Sequence, residues 1–280
     1  MKNSKLNFIC LYCAFISFFF LITYNSYSQT PDCFNANRPP GVICFGWSSE
    51  PPLEIELDAF PGCKIMITYS VNSCLNNNCV PAKVTKEISI GSIHWDWEDP
   101  NCSAFSVDVI PGYPNNFGSI DEVKLMQYFA EIKDKLALEI FIKFYDNEAP
   151  PNQDIYDCSH WASMTCPFMI TMSEAACQGY CHKQILSNED SPLFDPNNPL
   201  TWQYKAIVYP LPCYSSELSC CLKTYKMCMD ENGVPVVTFT TDLIGSNCSE
   251  LIMPVLSCSP VRPQFNESSG VTECHNICPN

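Results

Sequence analysis

Basic side chains are scarce in this 280-residue sequence, which has 15 Lys and Arg residues against 30 Asp and Glu and a formal net charge of −15. A surface this acidic repels phosphate backbones and anionic lipids. We therefore expect no nucleic-acid partner, and no membrane partner once the N-terminal leader described below is removed. The acidic excess itself is typical of a solvated surface, since no calcium-loop motif accompanies it.

Motifs of catalysis and cofactor binding are also missing. The sequence has no GxSxG elbow, HExxH helix, phosphate-binding loop or dinucleotide-binding glycine pattern, and its four histidines show no triad. We expect no cofactor and no metal site, and we favour a non-enzymatic role. A convergent active site would leave no linear motif, so an enzyme stays open as the alternative.

Glycine is low at 10 residues, whereas proline, at 23, is well above its usual share of about 5%. Proline interrupts helices and restricts the unfolded chain. This composition favours short strands and stiff turns over long helical arrays.

The first 28 residues have the order of a secretory signal peptide. Lys2 and Lys5 precede an apolar stretch from Phe8 to Ile22, and Ser28 supplies a small residue for cleavage. The alternative is an uncleaved anchor, but the apolar core has roughly 15 residues where a spanning helix needs about 20. We predict cleavage after Ser28 and a secreted or extracellular protein, with the cell surface and the periplasm as further destinations.

Cysteine is abundant, and 18 of the 20 cysteines follow the leader. An even number of cysteines scattered along an exported chain predicts disulfide bonds, whereas zinc sites need clustered pairs. We expect about nine disulfides, with a connectivity that the sequence leaves open. The cysteines concerned are Cys33, Cys44, Cys63, Cys74, Cys79, Cys102, Cys158, Cys166, Cys177, Cys181, Cys213, Cys220, Cys221, Cys228, Cys248, Cys258, Cys274 and Cys278.

Residues 29–117 read as a first antiparallel β module. The runs PLEIEL and CKIMITYSV alternate apolar and polar side chains, which is the pattern of half-buried strands. The runs KEISI, SIHWDW and AFSVDVI carry β-branched or aromatic residues between turn signals, so we expect strands there as well.

Residues 118–146 change period and predict one long amphipathic helix. Ser119 and Glu122 have the spacing of a capping box. The end of the segment, LEIFIKFY, also alternates and would fit a strand. The apolar stripe consists of Leu125, Phe129, Ile132, Leu136 and Ile140.

The rest of the chain divides into a loop region and a second β module. Residues 147–199 are rich in cysteine and proline, and the segment SNEDSPLFDPNNP at 187–199 is the strongest linker candidate. Residues 200–280 carry strand patterns in TWQYKAIVYPLPC, CCLKTYKMC and PVVTFTTDLI.

The two β modules share landmarks in the same order, which predicts an internal duplication. Within each copy, we expect the cysteine of the Asn-Cys-Ser landmark (Cys102 or Cys248) to form a disulfide bond. Its partner is either the cysteine that ends the strand (Cys74 or Cys228) or the cysteine that precedes the strand. Adjacent Cys220 and Cys221 point to opposite faces of a strand, so they should take different partners. The paired landmarks are Trp47 and Trp202, Cys63 and Cys213, Cys74 and Cys228, and Asn-Cys-Ser at 101–103 and 247–249. The predicted fold class is mainly β (α+β), with two disulfide-stapled antiparallel modules joined by the helix and the loop region.

The run from Cys220 to Cys228, followed by DENG from Asp230 to Gly233, is similar to a recurring pattern. A C-C-L-x-x-Y-x-[VM]-C strand before a D-x-N-G turn resembles a set of cysteine-rich exported bacterial proteins. The resemblance covers mainly residues 200–250 and implies export and a cross-linked β architecture. Those proteins have no assigned activity, so the resemblance implies none here.

The cluster HWDWED at 94–99 is the most distinctive candidate site. On a strand, His94, Asp96 and Glu98 would share one face, and Trp95 and Trp97 the other. Carboxylates beside aromatic rings fit a sugar-binding or glycosidase cleft. An amphipathic strand with buried tryptophans and solvated acids explains the same pattern.

These observations predict a secreted or cell-surface, non-enzymatic protein with a structural, adhesive or binding role. We expect contacts through sheet edges and through Trp47, Trp95, Trp97 and Trp202, with either a second copy or a surface polymer as partner. The alternative is a secreted carbohydrate-active hydrolase with Asp96 and Glu98 as its catalytic carboxylates.

Overall fold

The structure is a computed structural model of the chain. It describes residues 31–80, 82–96, 98–113, 119–147, 156–159, 167–175, 177–213, 219–245, 262–276 and 278. The predicted leader at 1–28, the second Asn-Cys-Ser landmark, Trp97, Cys166 and Cys258 lie outside the described residues. For Cys177, only the backbone is described.

The described chain is mainly β, as predicted, and contains eleven strands and three α-helices. Short 3-10 turns lie at Pro100–Cys102, Pro199–Thr201 and Pro263–Phe265. In chain order the elements are α1 (Pro31–Asn37), β1 (Val42–Ser49), β2 (Leu53–Ile55), β3 (Ile65–Asn76), β4 (Lys83–Asp96), α2 (Ser103–Val109), α3 (Glu122–Asn147), β5 (Phe168–Ala175), β6 (Cys177–Leu186), β7 (Tyr204–Pro212), β8 (Cys220–Met229), β9 (Pro235–Ile244), β10 (Ser268–Val271) and β11 (His275–Asn276).

All eleven strands join one sheet with β4 at its centre. One edge of β4 pairs with β3, whose other edge carries β1 and β2. The second edge of β4 is shared, because β5 pairs with residues 85–88 in parallel and β7 pairs with residues 93–96 in antiparallel orientation. From β5 the sheet continues through β8 to β9, and from β7 it continues through β6 to β10 and β11.

This topology corrects the expectation of two separate antiparallel modules. Strands from residues 29–117, 147–199 and 200–280 lie side by side in one sheet, and the β4–β5 pair is parallel. A parallel pair needs a long crossover connection. Helices α2 and α3 provide that connection. The duplication stays a prediction, since shared landmarks are compatible with either arrangement.

Helix α3 covers one face of the sheet with its apolar stripe. It runs as a continuous helix to Asn147, so the alternative of a terminal strand in LEIFIKFY is wrong. The helix begins at Glu122 and is capped by Asp121, whose Oδ1 accepts a hydrogen bond from the Lys124 N–H at 3.1 Å. Its buried residues are Leu125, Phe129, Ile132, Leu136, Ala137, Ile140, Phe141 and Phe144.

Two local expectations are corrected. The run AFSVDVI is helix α2, because the Asp99 carboxylate caps the preceding 3-10 turn and Phe105 and Val109, four residues apart, are buried together. The region 147–199 is not only a loop, because it supplies β5 and β6. In β5, Phe168 and Ile170 alternate toward the core as a strand requires.

Six disulfide bonds join described cysteines, and Cys79 and Cys181 are also disulfide-bonded. The Cys63–Cys102 bond is one of the two alternatives expected for the first copy. In the second half Cys213 and Cys228 bond Cys274 and Cys158, so these pairings do not repeat those of the first half. The six bonds are Cys33–Cys220, Cys44–Cys74, Cys63–Cys102, Cys158–Cys228, Cys213–Cys274 and Cys221–Cys278.

Adjacent Cys220 and Cys221 take different partners, as predicted from their opposite orientations in the strand. Cys220 bonds Cys33 in α1, and Cys221 bonds Cys278 at the other end of the described chain. Both ends are therefore attached to the first two residues of β8. Among the described residues, no helix is long and apolar enough to cross a membrane.

Candidate functional site

Strand β9 is the most exposed long strand of the sheet. It pairs with β8 over ten consecutive residues without a register shift, from Cys220–Ile244 to Met229–Pro235. Within the described residues β8 is its only partner strand, and the backbone groups of the second edge of β9 pair with no other described strand.

The connection between β8 and β9 fixes this hairpin. The Asp230 carboxylate accepts hydrogen bonds from the N–H groups of Asn232 and Val234, at 2.9 and 2.7 Å. The Val234 bond is the main reason that the pKa of Asp230 lies below its ordinary value. Gly233 has φ +74°, a conformation that favours glycine. The DENG sequence therefore sets where β9 begins.

The side chains of β9 are exposed on both faces, because none of its ten residues is buried. Phe239 is 57% exposed, and Val236, Val237 and Leu243 are 39–40% exposed. Val234, just before the strand, is 55% exposed. An apolar strand that is exposed on two faces and one edge marks an interaction surface.

Other edges of the sheet are bulged or very short, which discourages strand pairing, whereas β9 is long and regular after its first residue, Pro235. β1 has a register shift between Cys44 and Trp47, with Gly46 at φ +110°. Such bulges twist an edge away from a partner. β2, β10 and β11 have only two to four residues each. β9 has no lysine or arginine, and Asp242 is its one charged residue.

Strand β8, the neighbour of β9, is hydrogen-bonded to helix α3. Asp134 of α3 accepts hydrogen bonds from the Tyr225 hydroxyl at 2.7 Å and from Lys223 Nζ at 2.5 Å. Burial, followed by the nearby charge of Asp134, raises the pKa of Tyr225 far above its ordinary value, so the hydroxyl stays protonated. The Lys223 ammonium lies 4.2 Å from the ring centroid of Phe239, which tethers β9 to the same cluster.

Burial removes Trp95 from the predicted binding surface. Its side chain is 1% exposed, and its Nε1–H donates a hydrogen bond to Ser106 Oγ at 2.9 Å. Its ring packs edge-on against Phe105 with centroids 4.9 Å apart. The helix α2, which the sequence did not predict, covers this side of β4.

Two further tryptophans from the candidate set contact other aromatic rings. Trp202 is buried, donates to the Asp195 carbonyl at 2.9 Å and packs against Phe265. Trp47 is half-buried, with its ring centroid 5.1 Å from that of Phe34 in α1. Of these two, only Trp47 keeps part of its ring accessible.

The carboxylates of the candidate hydrolase lie at the exposed end of β4. Asp96 accepts a hydrogen bond from the Glu98 N–H at 2.9 Å, which is a local turn contact. Partial burial, followed by the charge of Asp96, raises the pKa of Glu98. Burial, followed by the charge of Lys205, lowers the pKa of His94. The two carboxylates are therefore close in the chain and both exposed.

A grouping of metal-ligand residues on β1, β3 and β4 is a structural cross-link. The ligand atoms of Cys44, Cys74 and Glu87 lie within 4.8 Å of one another. The two sulfur atoms are bonded to each other. Glu87 accepts hydrogen bonds from Arg38 at 2.7 Å and from Asn72 at 2.8 Å.

No protein-family model, curated protein or solved structure matches this chain. The candidate site therefore rests on its own geometry. The sequence predicted β9 as a strand without singling it out. Two features of its sequence bear on its exposure: the run VVTFTT lacks charge, and apolar residues occupy both alternating faces.

Proposed function

We propose that this chain is an exported, disulfide-cross-linked protein with a non-enzymatic binding or structural role, exerted through the edge of β9. In this role an extended segment of a partner adds to the sheet beside β9. Backbone hydrogen bonds provide affinity, and the exposed side chains on both faces provide selectivity. The observation that carries the proposal is the ten-residue, bulge-free, apolar edge.

The leader-like sequence and the cross-links support an extracellular setting. Disulfides persist in oxidising compartments, and 14 described cysteines are disulfide-bonded. The proposal includes removal of residues 1–28 and nine disulfides among the remaining 18 cysteines. It also keeps the internal duplication as the origin of the shared landmarks, with cysteine pairings that have since diverged.

The acidic character of the protein bears on the partner. The net charge of −15 repels an acidic segment, whereas β9 itself is almost uncharged. The expected partner segment is therefore extended, rich in β-branched residues and poor in acidic side chains.

A peptide-binding titration tests this proposal. The probe is a fluorescent decapeptide of alternating valine and threonine with a lysine at each end, titrated with residues 29–280 at 0.15 M salt. We expect saturable binding that Thr240→Lys weakens at least tenfold, because it places a charge at the middle of the edge. Leu200→Lys, at a residue 95% exposed elsewhere, is the matched control and should bind as the parent does. Absence of saturable binding by a parent protein that sediments as a monomer contradicts the proposal.

The second candidate is carbohydrate hydrolysis at Asp96 and Glu98, because the hydrogen bond from the Glu98 N–H to Asp96 holds the two residues together at the exposed end of β4 and the pKa of Glu98 is raised. A carboxyl with a raised pKa can act as a general acid. Asp96→Asn and Glu98→Gln should each abolish sugar release from a polysaccharide panel if this candidate is correct. An inert parent protein, or activity that survives both substitutions, rejects it.

A further inference from the structure

We propose that the partner at the β9 edge is a second copy of this chain, with the two β9 strands antiparallel about a twofold axis at Thr240. This inference rests on the proposed function of the β9 edge and names its partner. The two sheets then continue into one another across the axis.

Symmetry limits the registers that two β9 strands can adopt. Residues directly opposite each other in an antiparallel pair point to the same face of the sheet. In a symmetric pair of β9 strands, one residue must therefore lie directly opposite its own copy, with the twofold axis between the two copies. The two central registers place either Phe239 or Thr240 opposite its own copy. The choice between them depends on which side chains then meet.

The register centred on Thr240 brings apolar side chains together on both faces. Centring on Phe239 instead sets Phe239 against its own copy and Pro235 against Leu243, but it pairs both valines of the strand with polar side chains, Val236 with Asp242 and Val237 with Thr241. Matched cross-strand pairs stabilise a sheet, so the Thr240 register is favoured. Its pairs are Val236 with Ile244, Val237 with Leu243, Thr238 with Asp242, and Phe239 with Thr241, each formed twice.

Charge is compatible with this contact despite the acidity of each chain. Asp242 is the only charged residue of β9. In the Thr240 register each Asp242 lies opposite Thr238, so the two carboxylates are four residues apart along the strands, about 13 Å. This separation exceeds the screening length of about 10 Å at 0.1 M salt. The strand therefore offers a neutral strip where two acidic molecules can meet.

Among the described residues, no strand pairs with the outer edge of β9, and the strand has exposed side chains on both faces. Exposed Val236 and Phe239 point to opposite faces of β9, and a partner strand would pack beside each of them. The turn at Asp230 to Gly233 fixes the start of the strand, so the same ten residues are presented in each copy. A self-complementary strand held in one register suits a closed dimer.

Cysteine cross-linking tests the axis directly. In the proposed register the two Thr240 Cα atoms are about 4.5–5.5 Å apart, within the range of a disulfide. Thr240→Cys should therefore give a covalent dimer on mild oxidation of residues 29–280. Thr238→Cys is the matched control, with the same residue type on the same strand face, because its two copies would lie about 13 Å apart.

Sedimentation of the same protein measures the equilibrium. We expect a reversible dimer that Thr240→Lys weakens at least tenfold and that Leu200→Lys leaves unchanged. A dimer that is unaffected by Thr240→Lys, or that cross-links through Thr238→Cys instead, overturns the proposal. A monomer that still binds the valine–threonine decapeptide overturns the second copy as partner but leaves the proposed edge function intact. A monomer that binds no decapeptide overturns both.

Discussion

The hydrogen bond between Trp95 and Ser106 ties the centre of the sheet to α2, and replacing Trp95 by Phe tests that connection. The substitution keeps an aromatic ring against Phe105 but removes the donor at 2.9 Å from Ser106 Oγ. Ser106 is 0% exposed, so its hydroxyl would be left buried without this partner. Such a group costs about 1–3 kcal/mol.

The smaller ring adds a second cost. It leaves part of the Trp95 site unfilled, which we put at roughly 1 kcal/mol on the cavity scale for core substitutions. The expected loss in the free energy of unfolding for Trp95→Phe is therefore about 2–4 kcal/mol. Ser106→Ala, which leaves the indole N–H buried, should cost about 1–3 kcal/mol.

The double variant separates the hydrogen bond from the packing. Because each single substitution strands the other partner, the pair should lose about 1–2 kcal/mol less than the sum of the two single losses. Urea unfolding of the disulfide-intact protein, followed by circular dichroism, gives these free energies, and unchanged m-values confirm that the states are comparable. Trp47→Phe, at a half-buried site, should cost less than about 1 kcal/mol.

Additivity would refute this reasoning. If the two single losses add to within about 0.5 kcal/mol of the double loss, the bond does not couple β4 to α2. A loss below about 0.5 kcal/mol for Trp95→Phe would place its ring at the surface and restore Trp95 as a binding candidate.

Three further perturbations test the turn, the C-terminal strand region and the cross-links. Asp230→Ala should lower the midpoint of urea unfolding, because two turn N–H groups lose their acceptor, and an unchanged midpoint would contradict this. Burial raises the pKa of Glu267, but hydrogen bonds from Arg262 and from a backbone N–H outweigh it and lower the pKa overall. The stabilisation from ionised Glu267 is present above the unfolded pKa of about 4.3 and is lost as the pH falls through the lower folded pKa. Glu267→Gln should therefore flatten the acid side of the curve of unfolding free energy against pH. Parallel curves for the parent and the variant would reject this. Cys63→Ala with Cys102→Ala removes a bond across 39 residues, which should cost about 4 kcal/mol in the same assay, and a loss below about 1 kcal/mol would show that the bond contributes little.

Local periodicity predicted the elements whose patterns are long and regular. The stripe from Leu125 to Ile140 gave α3, and the alternation in β8 gave a strand, because one face of each packs on the core. The helix continued through LEIFIKFY because Phe141 and Phe144 extend the same buried stripe.

Sequence patterns could not predict the order and pairing of the strands in the sheet. β4 pairs with β5 and β7 across separations of about 80 and 115 residues, and such pairings depend on tertiary packing. The sequence did not predict β5, because its short alternating run lies among cysteines and prolines, which are typical of a loop. The run AFSVDVI has strand-forming residues, but the Asp99 cap and the burial of Phe105 make it helical.

The candidate site was predictable only in kind. The sequence named sheet edges and tryptophans as contact surfaces, and the pattern of β9 marked it as a strand. Which edge is unprotected depends on the bulge in β1 and on the exposure of Phe239, and neither is encoded in a local pattern. Trp95 has an aromatic pattern that fits a ligand or a core equally well, and α2 decides in favour of the core.

The attachment of Cys33 and Cys278 to neighbouring positions on β8 closes the chain into two covalent loops, residues 33–220 and 221–278, which meet at the Cys220–Cys221 peptide bond. The two Cα–Cα distances of 6.0 and 5.4 Å, with one peptide unit between Cys220 and Cys221, keep the Cα atoms of Cys33 and Cys278 within about 15 Å of each other. Labels attached beside Cys33 and beside Cys278 would therefore lie in the same small area. An exopeptidase that trims the chain inward to Cys33 or to Cys278 would meet a branched cystine before it reached a described strand of the sheet.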